Sequence, residues 1–293
     1  MTNARLASAY FGGLTHIHTR LSNHPGHHES NLTIKKTIQS LTSAGLVGGT
    51  NSPISYLAFN EHTSESGAPR LLPTFSFRDR QIIHQTKTVH GTESLGILLG
   101  LEVSCLPSGK IDAAGMLTTS RPFIIASRHA LPEAIEHDPS SIVNLLAALC
   151  DHPKVVSIGH PLRNLEQITD LDWTNIFAYA RDTGTAIEVN YNSFIEATNE
   201  QRASIWPQWL TKLADSAAPI TIGSDIHTTK QLQSFITLWG SLDTPSPNIL
   251  RDFIAAVNDS GITDSAVITA NYTRMTRWLA TDKKLRNKIN LER

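Results

Sequence analysis

Seven short apolar runs, each ending on a group that can bind a metal ion or move a proton, constrain this chain more than any other feature. They read SAYFGGLTHIH, ISYLAFNEH, LGILLGLEVS, PFIIASRH, KVVSIGHP, TAIEVNYN and PITIGSDIH. Short runs of this composition, bounded by turn residues, predict buried strands. Their polar ends are His18, His62, Glu102, His129, His160, Glu188 and Asp225, about 27 to 44 residues apart, which leaves room for one strand and one return helix each.

The intervals carry helix signals. Ser30 is the expected cap of NLTIKKTIQSLTSAG, with Ile34, Ile38 and Leu41 on one face and Gly45 ending it. Ser140 is the expected cap of SIVNLLAALC, where Ile142, Leu146 and Leu149 align, and LDWTNIFAYARDTG stops at Gly184. Ser246 and Pro247 open NILRDFIAAVNDSG as cap and first-turn proline. Alternating strands and helices mean an α/β fold. An open doubly wound sheet and a closed barrel share that alternation, but only a barrel brings seven polar strand ends to one mouth. A barrel of about seven strands is therefore expected. No Pro/Gly/Ser-rich linker divides the chain, so residues 1–293 read as one domain, with the basic stretch 281–293 as a solvated tail.

Five of the 13 histidines fall between His16 and His28. His16 and His18 alternate, which on a regular strand points both side chains to one face, and Asp225 and His227 repeat the spacing. Two such pairs, with His62, Glu102, His129 and His160 at other strand ends, make coincidence a poor explanation. Neutral imidazoles suit Zn, Mn or Fe, and a carboxylate can bridge two ions, so a multinuclear hydrolytic site follows, with metal-activated hydroxide as nucleophile. The chain has no GxSxG elbow, no GxxxxGK loop and no CxxC pair.

A net charge of −1 and a pI near 6.9 argue against long nucleic acid as a partner and leave a small phosphorylated substrate. MTNARLASAY lacks the pattern of a signal peptide, and no apolar run approaches the roughly 20 residues that span a bilayer, so no membrane is expected. Cys105 and Cys150 are the only cysteines, which fits free, buried thiols and a cytoplasmic location. Oligomeric state has no sequence signal here.

In their order along the chain, THIHTRLSNH, NEHT, GLEVS, IIASRHA, IGHP and GSDIH resemble the motifs of the polymerase and histidinol phosphatase (PHP) superfamily of metal-dependent phosphoesterases. The similarity runs from about His16 to His227. It implies a distorted (β/α)7 TIM-like barrel with a trinuclear site at its C-terminal mouth, holding two to three divalent ions of Zn, Mn or Fe. Carried over by position, it puts His16, His18, Glu102 and Asp225 on one ion. Glu102 then bridges to a second, held by His129 and His160, and His24, His62 and His227 hold a third. Glu102, Asp225 and His227 are the candidate catalytic groups, and Arg20, Arg128 and Arg163, beside the metal motifs, the candidate phosphate-binding ones.

The chain departs from the family pattern at Leu14, where an acidic residue is common, and at Glu61, where an aspartate often stands. His27 and His28 read as surface or rim residues, and His84, His90, His137 and His152 as exposed or packed ones. Glu188 and Asn190 fit either an orienting role or a plain place at the mouth. The resulting expectation is a stand-alone phosphoesterase hydrolysing the phosphate monoester of a small molecule. The alternative is an exonuclease or phosphodiesterase acting on nucleic-acid ends. An amidohydrolase and a non-catalytic metal-binding module are the weaker readings.

Overall fold

The computed structural model describes residues 2–22, 30–62, 77–92, 94–111, 123–129, 131–132, 135, 138–163 and 172–288. His24, His27, His28 and His137 lie outside the described residues. All seven predicted strands are present: β1 (Gly13–Ile17), β2 (Tyr56–His62), β3 (Gly96–Ser104), β4 (Ile124–Ser127), β5 (Ser157–Ile158), β6 (Ala186–Asn190) and β7 (Ile220–Gly223). They form one sheet in sequence order with every neighbouring pair parallel. The sheet then closes on itself. Ile17 bridges Ile226, His18 N–H donates to Ile226 O at 2.9 Å, and Ser224 N–H donates to Thr15 O at 2.9 Å. The result is a distorted (β/α)7 barrel, as the spacing and the resemblance both predict.

Strand alternation explains how an apolar core turns into a polar mouth. Residues two apart share a face, so Tyr56, Ala58, Asn60 and His62 line up on β2, Leu98, Gly100 and Glu102 on β3, and Ala186, Glu188 and Asn190 on β6. The lower members, Tyr56, Ala58, Leu98, Ile125 and Ala186, form one buried cluster with Ile268, Met275 and Trp278 from the C-terminal part of the chain. This cluster fills the barrel floor, and Tyr56 Oη fastens it by donating to Thr269 O at 2.9 Å. The upper members carry the ligand-type groups. Because His62 stands opposite Glu102 in register, those groups meet at one level.

Three helix starts differ from the sequence reading. The helix Ile34–Ser43 is capped by Thr33, whose hydroxyl accepts from Lys36 N–H; Ser30 instead lies 3.1 Å from His18 O and 2.5 Å from His227 O. The helix Pro139–Asp151 is capped by Asp138, with proline in the first turn, rather than by Ser140. The helix Ile249–Asp259 is capped by Asn248, beyond Ser246 and Pro247. In each case the residue with an extended backbone just before the first helical turn wins the cap, because only there does a side-chain oxygen reach the free N–H groups. Gly184 does end its helix, in the left-handed region at φ 68°.

The basic C-terminal stretch is not solvated throughout. Lys283 Nζ donates to Cys150 O at 2.6 Å and His152 O at 2.7 Å, at the C-terminal end of the helix Pro139–Asp151, where a cation is favoured. Arg286 is 6% exposed, stacks on Trp278 at 5.3 Å and donates from Nε to Trp278 O at 3.0 Å. Its Nη1 is buried without a partner, which offsets part of that gain. Arg286→Ala is expected to lower stability by about 1–2 kcal/mol in urea unfolding; an unchanged midpoint would show that the segment is not docked.

Both cysteines are buried and free, and burial pushes the Cys150 thiol up to about 12. Among the described residues no helix is long and apolar enough to cross a membrane.

Candidate metal centre

Three backbone kinks aim the site. His16, His160 and Asp225 have φ of 56°, 25° and 54°, in the left-handed region that side chains with a Cβ rarely enter. Strain of this kind persists where surrounding structure holds it and gathers at functional sites. Plain alternation is therefore not what brings His16 and His18 together. The β1 register shifts between Leu14 and Ile17, and His18 lies just past the strand, so the kink at His16 turns both rings inward with centroids 4.9 Å apart. Asp225 and His227 likewise lie beyond β7, and the kink at Asp225 brings its carboxylate to within 3.6 Å of His227 Nδ1.

Among the described residues five imidazoles surround Glu102. Its Oε2 faces His16 Nε2 at 3.3 Å, His18 Nε2 at 3.4 Å and His62 Nδ1 at 3.0 Å. Its Oε1 faces His129 Nε2 at 3.2 Å and His160 Nε2 at 2.9 Å. Asp225 Oδ1 adds a second carboxylate 3.3 Å from His18 Nε2 and 3.7 Å from His16 Nε2. His62 and His227 approach through their Nε2 atoms at 3.3 Å. Among the described residues four triads fall within metal-ligand reach: His16, His18 and Asp225; His16, Glu102 and His160; His62, Glu102 and His129; and His18, His62 and His227.

Proton bookkeeping shows that this set suits cations. His16 Nδ1 is 2.7 Å from Glu188 Oε1, so it carries the proton and Nε2 presents a lone pair. Ser22 Oγ donates to Glu61 Oε2 at 2.5 Å and so accepts from His18 Nδ1 at 3.3 Å, which again leaves Nε2 as the lone pair. The buried His16 Nε2, His18 Nε2 and Asp225 Oδ1 have no hydrogen-bond partner. Lone pairs facing carboxylate oxygens repel unless a cation lies between them. A proton can serve at His16: burial alone would lower its pKa, yet Glu188, Glu102 and Asp225 hold it well above 6.5. At His18 burial and the neighbouring His227 push the pKa down to about 3, so a metal ion is the fitting occupant. Glu102 and Asp225 are held well below the usual carboxylate range: burial works against that, but His16 and its neighbouring imidazoles outweigh it.

These opposed shifts set a pH profile for the metal-stripped protein. His16, raised on folding, contributes stability that is complete below 6.5 and lost as pH climbs through its folded value. His18 and His62, both lowered, impose a penalty that grows as pH falls below 6.5. Glu102 and Asp225 contribute stability above their unfolded values and lose it in stronger acid. Urea unfolding of the chelated protein is expected to show a stability maximum near pH 6.5; a monotonic rise from pH 5 to 9 would contradict these assignments.

No family model matches the chain. Among curated proteins, 148 residues are 26% identical to the DNA polymerase/3'-5' exonuclease PolX of Bacillus subtilis (strain 168), and 144 residues are 26% identical to a probable phosphatase of Syntrophotalea carbinolica. These stretches are 50% and 47% of this chain, and they span only 24% and 56% of the two relatives. Among solved structures, the histidinol phosphate phosphatase HISK of Lactococcus lactis, crystallised with zinc, L-histidinol and phosphate, shares the fold. It aligns with a TM-score of 0.58 at 16% identity over 85% of this chain and 93% of its own. At these identities the likeness shows the barrel fold that the chain shares with HISK.

Both departures from the PHP pattern have a structural counterpart. Leu14 is fully buried in the main hydrophobic core. Glu61 is a buried carboxylate that accepts from Thr19 N–H at 3.0 Å, Thr19 Oγ1 at 2.7 Å and Ser22 Oγ, and so pins the turn after β1. Burial raises its pKa and these hydrogen bonds pull it back. The orienting hydroxyls of Ser22 and Ser104, the latter 2.9 Å from His129 Nδ1, escape sequence reading because serine is common and only proximity marks them.

Of the three arginines, Arg163 alone lines the pocket of about 250 Å³ beside His62 and His227, together with Asn192, Glu196, Thr228 and Gln231. Arg128 Nη2 donates to Arg163 O at 3.3 Å, one step back from that pocket. Arg20 is exposed on the turn Arg20–Ser22. His84 is exposed, and His90 and His152 are partly buried away from the centre.

Proposed function

We propose that this protein is a metal-dependent phosphoesterase of the PHP type that hydrolyses the phosphate monoester of a small molecule. The observation that carries the reading is the convergence of five imidazoles on the two oxygens of Glu102. His16, His18, Glu102 and Asp225 would hold one ion, Glu102, His129 and His160 a second, and His62 and His227, with His24, a third. The imidazole and carboxylate donors suit Zn, Mn or Fe. Bound there, divalent ions supply Lewis acidity toward phosphoryl oxygens and lower the pKa of water.

The rest of the chemistry falls to side chains at the pocket. Arg163, with Nε 3.9 Å from Glu196 Oε2, is held at its inner end and 39% exposed, so its guanidinium is available to anionic oxygens. Arg163→Ala is expected to lower kcat/KM about 10–100-fold, mainly through KM; unchanged kinetics would remove it from the site. His227 Nδ1 lies 3.0 Å from Asp225 O, which orients Nε2 toward His62 and the pocket. His227, which lines the pocket, would be the group that hands a proton to the leaving oxygen, while Asp225 stays ionised as a ligand and orients it. Buried free thiols fit a reducing compartment such as the cytoplasm.

The test is hydrolysis of an aryl phosphate before and after chelation, with Zn or Mn restored afterwards. Activity that disappears and returns supports the reading, and activity indifferent to chelation overturns it. The likeness to PolX favours a second reading, an exonuclease acting on nucleic-acid ends. Mononucleotide release from an oligonucleotide with steep salt dependence, exceeding aryl phosphate hydrolysis, would select it.

A further inference from the structure

Resting on the metal-centre reading above, we propose that Glu188 is a positioning residue that sets two ligand histidines at once, the ring of His16 and the backbone of His160. Glu188 ends the interior face of β6 and is 1% exposed. Its two oxygens divide the work. Oε1 lies 2.7 Å from His16 Nδ1, while Oε2 accepts from His160 N–H at 2.8 Å and from Asn190 Nδ2 at 3.0 Å. His16 and His160 are both kinked into the left-handed region, and they stack with ring centroids 5.8 Å apart on the two sides of Glu102.

Three donors around one carboxylate define what the position requires. Only an acceptor at both oxygens satisfies them, and an amide would oppose its NH2 to at least one donor. By accepting a hydrogen bond from His16 Nδ1–H, Glu188 fixes the tautomer whose Nε2 lone pair faces Glu102 and Asp225. By holding His160 N–H, it restrains a strained backbone whose imidazole reaches Glu102 from the other side. Space for the carboxylate comes from β7: a Cβ on Gly223 would fall 2.0 Å from Glu188 Oε1. Engaged by donors at both oxygens, Glu188 stands behind the ligands rather than among them.

Two variants separate this role from simple packing. Glu188→Gln keeps the shape and removes an acceptor; Gly223→Ala keeps Glu188 and displaces its carboxylate. In either variant that retains the wild-type far-UV spectrum, competition with a chromophoric chelator is expected to show about 10–100-fold weaker zinc binding. The downfield Nδ1–H proton resonance of His16 in the zinc-loaded wild type is expected to disappear as well. Wild-type zinc affinity and an unchanged resonance in a folded variant would overturn the positioning role and leave the metal centre standing. A wild-type protein that binds no zinc would overturn both.

Discussion

Replacing Glu102 by Gln is expected to lower kcat/KM for an aryl phosphate by at least about a thousandfold, some 4 kcal/mol of transition-state stabilisation. Five imidazole nitrogens lie 2.9–3.4 Å from its two oxygens, so one carboxylate faces both halves of the centre. An amide presents one acceptor and one NH2, and the NH2 would point into either the His16, His18 and His62 group or the His129 and His160 pair. His16→Ala and His129→Ala, one from each half, are expected to lose activity to a comparable degree. Retention of more than a tenth of wild-type activity by Glu102→Gln, with metal still bound, would break the bridging assignment. The variant should also carry less metal, which separates loss of ligation from misfolding when far-UV spectra match.

Placing at Leu14 the acidic residue common in the PHP pattern is expected to be strongly destabilising. Leu14 is fully buried, pairs with Leu57 across β1 and β2, and belongs to the main core cluster. Leu14→Ala would cost about 2–5 kcal/mol through lost burial and a cavity. Leu14→Asp adds the desolvation of a carboxylate, bringing the loss to about 5 kcal/mol or more. That is comparable with the whole stability of an ordinary domain, so the variant should yield little soluble folded protein. Leu14→Ile, which conserves volume, should cost under about 1.5 kcal/mol. A Leu14→Asp protein with a wild-type melting temperature would mean that the site is wetter, or better partnered, than this packing allows.

The barrel was legible because parallel strands buried on both faces read as uninterrupted apolar runs, and because a mouth needs polar groups where those runs end. His62, Glu102 and His160 follow directly from that pattern. Local backbone decided what the pattern missed. Thr33, Asp138 and Asn248 cap helices in place of Ser30, Ser140 and Ser246 because a cap depends on the dihedral just before the helix, which composition does not carry. His16 and His18 converge through a register shift and a left-handed residue, where alternation alone had suggested a flat strand. Glu188, Ser22 and Ser104 act through partners on other strands or turns, so no single stretch of sequence displays their roles. The charge of Lys283 and Arg286 is visible in sequence and predicts solvation, whereas the carbonyls and Trp278 that receive them are not visible there.

Elemental analysis of the purified protein tests the central claim most directly. Imidazoles and carboxylates arranged around Glu102 predict about two to three divalent ions per chain, removed by a strong chelator and restored by Zn or Mn. A chain that carries no metal as purified and takes up none on addition would contradict the account, because its buried lone pairs would then have to be reconciled by protons alone.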